Sequence, residues 1–124
     1  MAVRLKKVSG KADVILVEAD EVAIKDAGSA LDIAVNVLYQ FDSNRIIVRK
    51  ETVCEDFFKL STRIAGEILQ KFVNYGVKMA IVGDFSSYTS KSLRDFIYES
   101  NNGKHFFFVN SIEEAVKKLE NAGR

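Results

Sequence analysis

The sequence has no proline and no tryptophan, a single cysteine, Cys54, and a single histidine, His105. One cysteine closes no disulfide within the chain. One cysteine and one histidine together do not supply the nitrogen and sulfur ligands of a zinc site from one copy, so no metal and no other cofactor is expected. Nothing places His105 beside Cys54, which reads as an inert thiol in or near a loop, and His105 reads as a strand-end surface residue. Charge of one sign is also missing. Eighteen Lys and Arg stand against seventeen Asp and Glu, a net charge of +1, with no block of like charge. That balance argues against nucleic acid and anionic membrane as partners. Apolar runs long enough for a membrane span or a secretory leader are lacking, and a cytoplasmic protein is the expectation. The seven glycines are scattered, so neither the nucleotide P-loop nor the dinucleotide fingerprint is present.

What is present is apolar patterning. With 48% hydrophobic residues, 124 residues suffice for one domain, 1–124, with a sizeable core. VRLKKV (3–8) and ADVILVE (12–18) flank Ser9-Gly10 and read as a hairpin. SALDIAVNVLYQF reads as a helix capped by Ser29, with Leu31, Val35, Leu38 and Ala34 on its inner face. RIIVR (45–49) is a strand. EDFFKLSTRIAGEILQKFVNY carries Phe57, Leu60, Ile64, Ile68, Phe72 and Tyr75 at helical spacing and forms the longest helical pattern, stopped by Gly76. Glu67, Lys71 and Asn74 fall on its solvated side. VKMAIVG (77–83) reads as a buried strand, SKSLRDFIYES as a helix ended by Asn101-Asn102-Gly103, HFFFV (105–109) as a strand, and SIEEAVKKLENA as a capped final helix.

The order is β-β-α-β-α-β-α-β-α. Successive strand-helix-strand passages require right-handed crossovers, so the fold class is α/β: a mostly parallel five-stranded sheet with one antiparallel N-terminal strand and four main helices. The expected core comprises Ile15, Leu31, Ile47, Phe57, Ile64, Ile68, Phe72, Ile81, Phe96, Phe107 and Leu119. HFFFV, together with the helix carrying Phe96 and Tyr98, holds more apolar surface than a small sheet needs, which suggests a homodimer.

The string from Phe57 to Gly103, FFKLSTRIAGEILQKFVNYGVKMAIVGDFSSYTSKSLRDFIYESNNG, resembles the bacterial and archaeal family of domains of unknown function DUF4180, with a weaker match at Ala30-Leu31-Asp32. The resemblance implies a fold unit without an established activity. In that family a glycine usually follows the threonine corresponding to Thr62, where this chain has Arg63. A looser similarity, in element order and in Ser61-Thr62-Arg63-Ile64-Ala65-Gly66 before a helix, is to STAS domains, the anti-sigma factor antagonists. It implies a regulatory module phosphorylated by a partner kinase, with Thr62 first and Ser61 second as acceptors. The competing reading places both hydroxyls inside a helix that starts near Glu55, bonded one turn back.

A parallel sheet binds ligands at the carboxyl ends of its strands. The loops gathering there are 19–21, 50–52, 83–90 and 110–111. Asp84, Ser86, Ser87, Thr89, Ser90 and Lys91 precede or open a helix, whose free N–H groups suit a small anionic ligand. The same residues also serve as ordinary turn and cap formers, Asp84 bonding turn N–H groups and Thr89 or Ser90 capping. Tyr88 reads as a half-buried loop tyrosine, and Asp84 has no second acid or base beside it in sequence. Three functions follow: a non-catalytic regulatory or protein-interaction module, a small-molecule or anion binder at the 84–91 loop, and an enzyme whose site a second copy completes.

Overall fold

The computed structural model describes residues 3–8 and 13–122. The chain runs β1 (Val3–Lys7), β2 (Val14–Ala19), α1 (Ala27–Phe41), β3 (Arg45–Arg49), three 3₁₀ turns (Lys50–Thr52, Glu55–Phe58 and Leu60–Thr62), α2 (Ile64–Tyr75), β4 (Lys78–Val82), α3 (Lys91–Asn101), β5 (Phe106–Val109) and α4 (Ile112–Glu120). The expected Ser9-Gly10 turn lies outside the described residues. Strands lie in chain order in one sheet; β1 is antiparallel to β2, and every other pair is parallel. The expected α/β class and strand directions hold.

Right-handed crossovers between sheet neighbours put α1, α2 and α3 on one face, and α4 closes the other. Alternation along the strands divides the core accordingly. Ile15, Val17, Ile46, Val48, Met79, Ile81, Phe106 and Phe108 meet the three helices. Val14, Leu16, Ile47, Ala80, Phe107 and Val109 meet Ala115 and Leu119 of α4. The free edge of β5 is blunted by Asn101, whose side chain accepts from Phe108 N at 2.7 Å and donates to Phe108 O at 3.2 Å, as a neighbouring strand would.

Three expectations fail locally. Helix α1 is capped by Asp26, not Ser29: Ser29 N–H donates to Asp26 Oδ1 at 2.8 Å, and Ser29 Oγ accepts from Asp26 N at 3.1 Å, a reciprocal box one turn earlier. This earlier start settles which stripe is inner. Ala30, Ile33, Ala34 and Val37 are buried, whereas Val35 and Leu38 are exposed and Leu31 is half-buried. Small alanines let α1 lie close to the sheet, which turns its larger side chains outward. Ile64 and Phe96 are half-buried at the margin of the core rather than inside it.

The third failure concerns the long helix, which begins only at Ile64. A single helix from Glu55 to Tyr75 would run about 32 Å, while the five-residue strands beneath it span about 17 Å. Its first turns would carry Phe57 and Phe58 past the sheet into water. Three 3₁₀ turns fold the segment back over the strand ends instead, and both rings are buried. The reversal falls at Arg63, φ 67°, in the left-handed region and with no side-chain cap. Glycine adopts that conformation without the Cβ penalty that arginine bears here. Arg63→Gly is expected to stabilise the chain by about 0.5–1 kcal/mol, the relieved backbone strain less the added unfolded-state entropy. A lower melting temperature in that variant would show that position 63 is not strained.

Candidate functional site

At the carboxyl edge, backbone hydrogen bonds tie the loop after β2 to the loop after β3. Thr52 O accepts from Ala23 N at 2.8 Å and from Ile24 N at 3.0 Å, and Ile24 O accepts from Cys54 N at 2.9 Å. The 3₁₀ segment that follows approaches the loop after β4, and a cavity of about 540 Å³ opens between them. One wall is Glu55, Phe58, Lys59, Leu60 and Ser61; the other is Ser87, Tyr88, Thr89, Ser90, Ser92 and Leu93. Residues 26 or more positions apart in sequence thus share one hollow rich in hydroxyls.

Tyr88 holds the walls together. Its hydroxyl donates to Glu55 Oε2 at 2.8 Å, its ring stacks on Phe58 with centroids 5.1 Å apart, and Lys50 Nζ lies 4.8 Å from its ring centroid. Burial first, and then the Glu55 carboxylate, raise the Tyr88 pKa above the ordinary phenol value, so its proton stays in place as the donor. Ser90 caps α3, its Oγ accepting from Leu93 N at 3.2 Å.

The structure divides the expected site residues. Ser61, Ser87, Thr89 and Ser90 line the cavity; Thr62, Asp84, Ser86 and Lys91 do not. Asp84 Oδ1 accepts from Ser86 N at 2.9 Å, and hydrogen bonds from Ser86 hold its carboxyl below the usual range, as in a plain turn. Lys91 pairs with Asp95 at 2.7 Å along the outside of α3. Thr62 stands in neither expected setting. It lies before the helix rather than inside it, yet its hydroxyl is committed to Asp56 O at 2.7 Å and Lys59 O at 2.8 Å, where it locks the 3₁₀ turns.

A second cavity of about 540 Å³ lies at the opposite edge, lined by Lys104, Lys117 and Lys118. The carboxyl ends of α3 and α4 converge there, and the lysines offset the negative ends of those helices. The first cavity meets the expected ligand edge; the second does not.

A family model described as Domain of unknown function (DUF4180) matches residues 9–119. The chain belongs to the DUF4180 family. No curated protein and no solved structure matches it. In this DUF4180 chain the remaining reactive groups stay away from the cavity: Cys54 Sγ faces Lys25 O at 3.6 Å, and His105 Nδ1 lies 3.3 Å from Val77 O at the far end of the strands. Among the described residues no group of three or more His, Cys, Asp or Glu is placed to hold a metal ion, and no helix is long and apolar enough to cross a membrane. Sequence reasoning missed Glu55, Phe58, Lys59, Leu60, Ser92 and Leu93 as lining residues and set Tyr88 aside as a half-buried loop tyrosine. The periodicity from Phe57 onward hid the first four inside an expected helix.

Proposed function

We propose that this DUF4180 domain is a non-catalytic regulatory module that binds a small polar ligand between the Glu55–Ser61 and Ser87–Leu93 walls. The observation that carries this reading is the shared cavity, which joins hydroxyls of the 3₁₀ segment to those before α3 around the Tyr88–Glu55 hydrogen bond. Hydroxyls that donate and accept suit a ligand with several polar groups, and Phe58, Leu60 and Leu93 suit its carbon skeleton. The ionisable groups favour binding over turnover. Glu55 is engaged by Tyr88, Tyr88 keeps its proton, and Lys59 sits 3.7 Å from Asp56.

Thermal denaturation against a panel of sugars, amino acids and their phosphorylated forms tests the proposal. A bound compound at a hundred times its Kd adds about 2.7 kcal/mol of stability. The rise is expected to disappear in the Ser87→Val, Thr89→Val double variant; a panel without a single shift would reject the reading. The kinase-linked switch implied by the STAS-like similarity is better supported at Ser61 than at Thr62, because Ser61 lines the cavity whereas the Thr62 hydroxyl is committed to Asp56 O and Lys59 O. Ser61→Glu is then expected to abolish the ligand-induced rise while leaving the unliganded melting temperature nearly unchanged.

A further inference from the structure

Among the described residues, the large hydrophobic side chains that remain exposed are Val3, Val35, Leu38, Tyr39, Val73, Tyr75 and Tyr98. All of them belong to the three-helix side: Val3 to the alternate positions of β1 that face α1, the others to α1, α2 and α3. The α4 side has none. The apolar surplus expected of HFFFV is absent, because Phe106, Phe107 and Phe108 are all buried. It sits instead on α1 and α2, with Val35 at 56%, Leu38 at 54%, Tyr39 at 88% and Tyr75 at 64% exposure. Isolated exposed leucines need no explanation, but this concentration on one face does.

The same face also has a hollow. Between α2 and α3, one depression combines Leu60, Gly66 and Phe96 with Arg63, Glu67 and Gln70, and the next combines Leu69, Val73, Phe96 and Phe106 with Glu99 and Lys104. Phe96 is common to both, so the depressions form one groove along the two helices. A face that carries both a protruding apolar ridge, on α1, and a groove has what a two-fold pairing requires, since each copy then offers the ridge and receives it.

Charge and size favour the same occupant. Val35–Phe41 has no charged residue, the last two turns of α2 contribute only Lys71, and the second half of α3 only Glu99. The groove that receives this uncharged ridge is lined by Arg63 and Lys104 against Glu67 and Glu99, a balanced set, so the ridge meets no excess of one sign there. Helices of 15, 12 and 11 residues, side by side, span about 20 Å by about 25 Å. With side-chain relief that area approaches the roughly 800 Å² per partner of a standard stable interface. Exposed tyrosines are also enriched at such interfaces.

We propose that the three-helix face is where two copies of this chain pair, with Val35, Leu38 and Tyr39 of each seated against the α2–α3 groove of the other. The proposal is independent of the ligand cavity. Light scattering coupled to size exclusion, run across a concentration series, tests it on the full chain. Wild type is expected near twice 13.9 kDa. Leu38→Asp and Tyr39→Arg are each expected to return it to the monomer mass with an unchanged circular dichroism spectrum. Tyr39 is so exposed that its replacement leaves the fold of a single copy intact, which keeps the test valid should Leu38→Asp unfold. Glu113→Arg, on α4, should leave the dimer in place. A wild-type chain that stays monomeric up to millimolar concentration overturns the proposal, including the case in which a different protein occupies this face. A dimer that survives both α1 substitutions, or that Glu113→Arg breaks equally well, overturns it too.

Discussion

Phe72→Ala is expected to lose about 3–5 kcal/mol of folding stability, the largest single-residue effect anticipated in this chain. Phe72 is fully buried at the centre of the inner face of α2, and its ring meets Phe106 of β5 edge-on, with centroids 5.9 Å apart and planes at 83°. Phe106 in turn lies 6.2 Å from Phe57, so the three rings form a continuous aromatic layer between helix and sheet. Truncation removes the apolar transfer energy of the ring, its edge-on contact, and the packing of a space that alanine does not refill. Because α2 rests on a rigid sheet, little collapse into the void is expected. Chemical denaturation should show a lower midpoint with an unchanged slope. A loss below about 1 kcal/mol would mean that Phe72 is not the hub of the core and that α2 is rotated from its assigned face.

Gly83→Ala is expected to cost about 1–3 kcal/mol and to suppress the ligand-induced rise in melting temperature proposed for the cavity. Gly83 follows β4, its N–H donating to Val109 O at 3.0 Å, and a Cβ built there would lie 2.7 Å from Lys50 Cβ and 3.1 Å from Lys50 Cδ. Lys50 is anchored at its Cβ by the 3₁₀ turn after β3, so rotation of the side chain alone does not relieve the contact. The strand end and the turn must separate. That movement takes Lys50 away from the Tyr88 ring and disturbs the wall that Tyr88 holds through Glu55. Gly66→Ala is the control: a Cβ there meets nothing within 4 Å, and alanine in a helix is favoured over glycine by up to about 1 kcal/mol. Equal behaviour of the two variants in unfolding and in the ligand panel would remove the steric argument at Gly83.

Much of the fold was legible because short apolar runs such as IIV, MAIV and FFFV suit only strands covered on both faces, and the helical spacings between them demand crossovers. The Ser111 cap was readable for the same local reason, and the α3 cap was narrowed to Thr89 or Ser90, of which Ser90 accepts the N–H three residues on, as Ser111 does. The α1 boundary was not, because both Asp26 and Ser29 are good caps and the structure uses them together. The candidate site was legible only by halves. The hydroxyls of 86–90 and of 61–62 were each visible as a cluster, but their joining, and the bond between Tyr88 and Glu55, are long-range facts with no local signature.

By itself, then, the sequence determined the family, the order of elements, the parallel sheet and most of the residues inside it, since these depend on periodicity, propensity and chirality, which act over a few neighbouring positions. Tertiary structure decided where the long helical pattern breaks. The strands are shorter than the helix that pattern would build, so Phe57 and Phe58 stay buried only if the chain turns back at Arg63. That reversal lays the 3₁₀ segment over the strand ends and faces Ser61 toward the loop before α3, so the length of the sheet, rather than any motif, is what creates the cavity.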